Sequence, residues 1–434
     1  MLRFTLPTDR VMDLDDLRIA LVAAVTVRQQ KSELLLYFDD LHRTHHPQSS
    51  DEEQKLILEK FAVTPDRILH YGDQLHRAQQ LALRLVEEGK AFLCFCSAEK
   101  LREEREAAEA SGRPYRYSGH CAQLSREELQ KIKAEGVPFT VRIRKPKEAI
   151  RFHDLCGGEL LFEPEEIDHF VLLRSDGTLT ETFAAACCDI FSGTKSAVLK
   201  ADERLQTARS IHIQRALGYR ETIRYAHLPP ILDTEGGKIA HHPERYSLKA
   251  LLEAGFLPDA IINALLSLGG TPPREIFTLP EALEWFDLCH LSPEAAPLDL
   301  QRLERINREH LRRMDDLTLS RLFRFADADI GRMAKLYLNE APTLSKLEKR
   351  IAKIFAPKSC DEKMRRLSRL IIEGPAFDRY EDLLSYLSEH SGLDSEALGP
   401  LMQRLMSGAS QGPAPAQLYP HLKSYITEVV RCQP

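Results

Sequence analysis

The sequence predicts an α/β fold: a parallel, Rossmann-like core sheet interrupted by an inserted α/β piece and followed by an all-α second half. Three observations carry this. Short apolar runs alternate with helical periodicity at the start, turn-closed strand patterns recur in the middle, and strand patterns vanish after Ser247. The first strand covers Leu2 to Thr5 and ends in a turn at Pro7; an apolar-periodic helix follows from about Asp13 to Gln29, then a second strand from Glu33 to Phe38. This order suits a parallel sheet whose ligands bind where strands end and helices begin. Ile68 to Leu85 and Ala98 to Ala110 have helical spacing, and Val141 to Arg144 with Glu159 to Phe162 read as strands of the insert. Val171 to Arg174 is a strand closed by the turn Ser175-Asp176-Gly177-Thr178. Beyond Ser247, helices are punctuated at Gly269-Gly270, Pro272-Pro273, Pro342, Pro357 and Gly412-Pro413.

A chain of 434 residues exceeds one hydrophobic core, so several domains are expected. Its 43% hydrophobic and 29% charged residues exclude disorder and collagen-like repeats. No apolar run reaches the roughly 18 to 20 residues that cross a bilayer, and Met1 leads straight into a polar strand-like segment. A cytoplasmic protein without a membrane partner is expected. Nine cysteines in such a chain favour metal binding or buried thiols over a disulfide framework. Cys156, Cys187, Cys188, Cys289, Cys360 and Cys432 have no ligand spacing and are expected to be free. His42, His45 and His46 fall in a polar loop and receive no role.

The net charge of −6 hides an asymmetry. Residues 301–370 hold 18 Lys or Arg against 10 Asp or Glu, a balance of +8 that leaves −14 elsewhere. A basic face on helices is what a phosphate backbone requires, although a solvated helix surface has the same composition. The candidate nucleic-acid-binding residues are Lys346, Lys349, Arg350, Lys353, Lys358, Lys363, Arg365, Arg366 and Arg369.

Several stretches, in order along the chain, resemble bacterial glutamyl-tRNA synthetase, a class I aminoacyl-tRNA synthetase. They are Leu2-Arg3-Phe4-Thr5; Glu87-Glu88-Gly89-Lys90-Ala91 with Cys94-Phe95-Cys96; the full run from Val171 to Gly177; Ala226-His227-Leu228-Pro229; Gly255 to Ile261; Ile306 to Leu311; and Leu405-Met406-Ser407-Gly408 with Gly412-Pro413. The resemblance implies a catalytic core in two halves, 1–73 and 188–229, around an acceptor-stem-type insert at 74–187. A stem-contact-like helical domain at 230–310 and anticodon-binding-like helical domains at 311–434 would follow. It also implies activation of glutamate by ATP and Mg²⁺, then transfer to tRNA(Glu).

The family's chemical signatures are altered here. Where the resemblance places the HIGH motif, at the start of the first helix, stand Asp13-Leu14-Asp15-Asp16. A helix N-terminus attracts anions through free N–H groups and its dipole. Asp13 as N-cap and Asp16 three residues on would satisfy those donors internally. At an effective dielectric near 20, each bare carboxylate about 4 Å from a phosphate charge would cost roughly 4 kcal/mol. The KMSKS segment is Lys238-Ile239-Ala240-His241-His242, which exchanges a permanent cation for a mostly neutral His241. In the amino-acid pocket, Arg3 aligns with the family arginine that pairs with the substrate carboxylate. Asp39 stands for a glutamate that holds the substrate ammonium, Glu181 puts negative charge where the glutamate side chain would be received, and Lys200 replaces an arginine fork by a point charge. These replacements argue against ATP and Mg²⁺ as cofactors.

Cys94, Cys96, Tyr117 and Cys121 have a spacing that resembles the zinc site in the inserts of some family members and of glutamyl-queuosine tRNA(Asp) synthetase. Gln123 stands where some members place a histidine, so Tyr117 or His120 would be the fourth ligand of a structural zinc, with inert thiols as the alternative. In the family fold the first helix faces KMSKS, so Asp13, Asp15 and Asp16 are expected opposite His241 and His242. Helix capping with free histidines, an ionic latch, or a divalent-metal site each fits. The leading functional expectation is a synthetase paralogue that has lost glutamate activation and serves as a tRNA-binding or regulatory module, beside an active synthetase or another protein. The alternatives are a working glutamate–tRNA ligase, supported by Arg3 and Lys238, and a new metal-dependent activity at the Asp/His cleft.

Overall fold

Strand β1 (Leu2–Pro7) is followed by helix α1 (Leu14–Gln30) and strand β2 (Leu34–Asp39), as the alternation predicts. In this computed structural model, which describes residues 1–41 and 51–433, β1 pairs parallel with β2 from Leu2 opposite Leu34 to Pro7 opposite Asp39. His42, His45 and His46 lie outside the described residues. The remaining strands are β3 (Arg67–His70), β4 (Ala91–Cys94), β5 (Thr140–Ile143), β6 (Ile150–Asp154), β7 (Gly158–Phe162), β8 (Val171–Leu173), β9 (Ser196–Lys200), β10 (Arg224–Leu228) and a short pair, β11 (Ile231–Leu232) and β12 (Ala296–Pro297). A seven-stranded sheet has the order β3-β2-β1-β9-β10-β6-β7, parallel except for the β6–β7 hairpin. The chain steps outward from β1 on one side and resumes at β9 on the other. The crevice at the carboxyl ends of β1 and β9 is therefore the topological switch point.

Two elements depart from the sequence expectation. Ile68 does not start a helix: it belongs to β3, paired with β2 from Leu35 opposite Arg67 to Phe38 opposite His70, and the helix begins at Leu75. A four-residue run carries no periodicity of its own, and the unpaired edge of β2 decides its conformation. The strand containing Glu159 to Phe162 joins the core sheet through β6, which meets β10 at Asp154 opposite Tyr225. The separate three-stranded sheet of the insert is β4-β5-β8, and helix Ala98–Ala110 forms as expected.

The chain divides into two compact units. The first holds 1–242, 265–273 and 277–297; the second holds 243–264, 274–276 and 298–434. The second unit is helical. Leu347, Ile351 and Ile354 on helix Leu344–Phe355, and Met364, Leu367 and Ile371 on helix Glu362–Glu373, face inward at three- and four-residue spacing. A disulfide joins Cys360 to Cys432 across 72 residues of sequence, contrary to the expectation that both are free thiols. The C-terminal segment runs beside Lys358 in a parallel bridge, and this backbone pairing brings the two cysteines to a Cα separation of 5.6 Å, within disulfide reach. Among the described residues no helix is long and apolar enough to cross a membrane.

Candidate active site

At the switch point α1 opens on a capping box. Asp16 N donates to the Asp13 carboxylate at 2.8 Å, and Asp13 N donates back to Asp16 at 3.0 Å. Arg10 grips the buried Asp16 carboxylate with both terminal nitrogens, at 2.6 and 2.9 Å, and reaches Asp13 at 3.1 Å. Lys200, the last residue of β9, brings its ammonium to 2.8 Å from Asp16 and 3.7 Å from Asp13. Burial pushes the Asp16 carboxyl upward, but Arg10 and Lys200 win, and it is held below its ordinary range. The sequence expectation of bare carboxylates repelling phosphate is corrected in one respect: two cations offset most of the charge. What stands at the helix tip is a closed ion-pair network.

Asp15 takes a different partner, the Ile231 N–H at 3.0 Å. Burial pushes its carboxyl up to about 6, outweighing that hydrogen bond, and Asp13 adds to the rise. A raised folded pKa means that ionisation opposes folding. The stability associated with protonated Asp15 is complete below the ordinary carboxylate pKa and lost as pH rises through about 6. Asp15→Asn, which keeps the acceptor, is therefore expected to raise stability by about 2 kcal/mol near neutral pH, with the gain fading toward about pH 4. Thermal melts across that range check this.

Among the described residues the histidines do not meet Asp13, Asp15 or Asp16 in a latch. The carboxylates of Asp13, Asp15 and Asp16 are bonded to Arg10, Lys200 and backbone, while His242 Nε2 lies 3.6 Å from Asp233 and His241 is exposed. Asp233 organises the turn at Gly236-Gly237 by accepting from Glu235 N and Gly237 N. Lys238 does line the crevice, a cavity of about 190 Å³ shared with Asp13, Asp15, Arg18 and Lys200. Among the described residues these Asp and His side chains do not gather as a metal-ligand group. Among the described residues the one trio with ligand atoms in mutual reach is Cys94, Cys96 and Cys121.

A second cavity, about 140 Å³, lies beside the first and is lined by Arg3, Asp39, Tyr71, Glu181, Glu203 and Thr207 among others. Arg3 is buried and already engaged. Its Nε and Nη2 contact Asp189 at 2.5 and 3.0 Å, and Nη1 donates to Thr5 at 3.1 Å. Thr207 is bonded to His227 Nε2 at 2.8 Å, and His227 Nδ1 to Asp154, a buried chain that ties β10 to β6. The sequence reading missed Arg10 and Asp189. Asp189 had a local signal, being the one charged residue within an apolar run from Phe183 to Phe191.

In the insert, Cys94 Sγ and Cys96 Sγ lie 3.4 and 3.5 Å from the Tyr117 hydroxyl, and Cys96 lies 3.5 Å from Cys121. Burial, with the neighbouring sulfurs, pushes Cys96 up to about 12. His120 is exposed, so Tyr117 is the residue the structure gathers with the cysteines. In the helical unit, Lys346 pairs with Glu304 at 2.5 Å and Arg350 with Glu340 at 2.9 Å. Lys349, Lys353, Lys363, Arg365, Arg366 and Arg369 are exposed. Lys358 is not available to phosphate. It is 6% exposed and donates to the carbonyls of Ile354 and Val429, because Pro357 ends the helix and turns the chain inward.

The family model described as tRNA synthetases class I (E and Q), catalytic domain, matches residues 14–305. Glutamate–tRNA ligase 2 of a Sulfurovum species is 42% identical, over 99% of this chain and all of that protein. The chain belongs to the glutamyl-tRNA synthetase family. A second family member, glutamate–tRNA ligase 2 of Sulfurimonas denitrificans, is 38% identical over the same share. The crystal structure of a glutamate tRNA ligase from Elizabethkingia meningosepticum in complex with its amino acid has the same fold, with a TM-score of 0.83 at 21% identity over 99% of this chain and 98% of that one.

Proposed function

We propose that this glutamyl-tRNA synthetase family member binds tRNA through its helical unit but does not form glutamyl-adenylate. The observation that carries the proposal is the network of Asp13, Asp16, Arg10 and Lys200 at the tip of α1. To seat a triphosphate there, an incoming anion would have to displace the Asp16 carboxylate from two cations and two backbone N–H groups would have to be released. Breaking an ion pair with a buried carboxylate costs up to about 3–5 kcal/mol, a factor of roughly a hundred to several thousand in affinity. In the neighbouring cavity, Arg3 is committed to Asp189, and Glu181 and Asp39 add negative charge where a dicarboxylic amino acid would enter.

The second reading, a working ligase, is favoured by Lys238 on the crevice wall and by the names of the similar proteins. A cytoplasmic setting and a tRNA partner suit both readings. The insert's cysteines fit zinc: the three sulfurs lie within 4.8 Å of one another, and the Tyr117 hydroxyl is 3.4 and 3.5 Å from Cys94 and Cys96, close enough for one ion with metal–sulfur bonds of roughly 2.3 Å. Such an ion would tie β4 to the loop at Tyr117 to Cys121 and supply structure alone.

Calorimetry on the full chain separates the readings. No binding of ATP·Mg at the crevice is expected, so Lys238→Ala should leave an ATP·Mg titration unchanged, whereas tRNA should bind with an affinity that falls steeply between about 50 and 200 mM salt as counterions are released. Tight ATP·Mg binding that Lys238→Ala weakens, or tRNA affinity indifferent to salt, would count against the proposal.

A further inference from the structure

A cavity of about 370 Å³ lies over the start of β10, lined by none of the crevice residues Asp13, Asp15, Arg18, Lys200 or Lys238. Four exposed arginines, Arg151, Arg215, Arg220 and Arg224, surround it, and among the described residues none has a carboxylate within ion-pair distance. The nearby carboxylates are spoken for: Glu221 pairs with Lys195 at 2.7 Å and Glu159 with His153 at 2.9 Å. The walls are apolar and aromatic, with Phe152 and Tyr219 half-buried against the cluster of Ile223 and Tyr225.

Each feature points to a ligand class. Unpaired guanidinium forks match phosphate oxygens in pairs, and water-exposed like charges gathered without a counter-ion leave a field that an anion relieves. Aromatic walls take a planar ring, and the volume lies in the usual range for small-molecule sites, roughly 300–1,000 Å³. We infer that this cavity is a second binding site, for a nucleotide, with its phosphate among Arg151, Arg215, Arg220 and Arg224 and its base against Phe152 and Tyr219. A free mononucleotide and one residue of a single-stranded RNA share this chemistry.

Calorimetric titration of the full chain with AMP and with adenosine tests it. AMP should bind at least tenfold more tightly than adenosine. R215A/R224A should weaken AMP tenfold or more, while Lys238→Ala in the crevice leaves that affinity unchanged. R215K/R224K, which keeps charge but removes the forks, should lose part of the affinity, and circular dichroism of each variant verifies folding. Tighter binding of a 5′-phosphorylated RNA trinucleotide through the same arginines assigns the site to RNA; equal affinity assigns it to the free nucleotide. AMP affinity that survives R215A/R224A, adenosine bound as well as AMP, or no AMP binding by the wild type would overturn the inference.

Discussion

Asp16→Ala is expected to destabilise the first unit by about 3–5 kcal/mol, because it strips a buried carboxylate from Arg10 and Lys200 and leaves both cations facing each other. The thermal transition of that unit should fall by on the order of 10 °C. The pH dependence has a definite sign. The folded state holds the Asp16 carboxyl below its ordinary range, so its contribution is present above the usual carboxylate pKa and lost as pH falls through the lowered one. The penalty of the substitution should therefore shrink in acid. Lys200→Ala should be less than additive with Asp16→Ala, since both remove the same ion pair. Wild-type stability in Asp16→Ala at neutral pH would mean that the network does not hold the helix tip.

Cys432→Ser should have a comparable effect on the helical unit. Closing a loop of 72 residues restricts the unfolded chain by about 4 kcal/mol on the chain-entropy account. The same loss should appear on adding a dithiol reductant to the wild type, and the reductant should leave the variant unchanged. Urea unfolding with and without reductant measures both. Loss of the tie also removes the backbone pairing around Lys358, whose ammonium relies on the Val429 carbonyl. A wild-type chain whose Cys360 and Cys432 titrate as free thiols before any reduction, with unchanged stability, would contradict this.

What could be read from the sequence was local. The Asp13-x-x-Asp16 spacing spells out a capping box, and it forms. The Cys94-x-Cys96 pair and Cys121 come together although the helix Ala98–Ala110 separates them in sequence. The run from Val171 to Gly177 gives the strand and turn it describes, with Gly177 at φ +83°. What could not be read depends on contacts distant in sequence or on side-chain direction. Nothing near Arg10 announces that it folds back on Asp16, and nothing near Lys200 announces that it reaches the same carboxylate from β9. The pairing of Cys360 with Cys432 follows from a backbone bridge 72 residues removed. Lys358 sits in a basic stretch, yet the turn after Pro357 buries it, so charge counting assigns it to the wrong face. The carboxylates expected opposite the histidines are taken by Arg10 and Lys200 for the same reason: motif alignment specifies which segments meet, not which side chains do.

Glutamate-dependent exchange of pyrophosphate into ATP tests the central claim most directly, because it reports adenylate formation whether or not a tRNA is transferred. With saturating glutamate, ATP and Mg²⁺, the account predicts no exchange above the background of the protein-free mixture. Exchange at the rate of a working glutamate–tRNA ligase would contradict it and make the ion-pair network a gate that ATP opens.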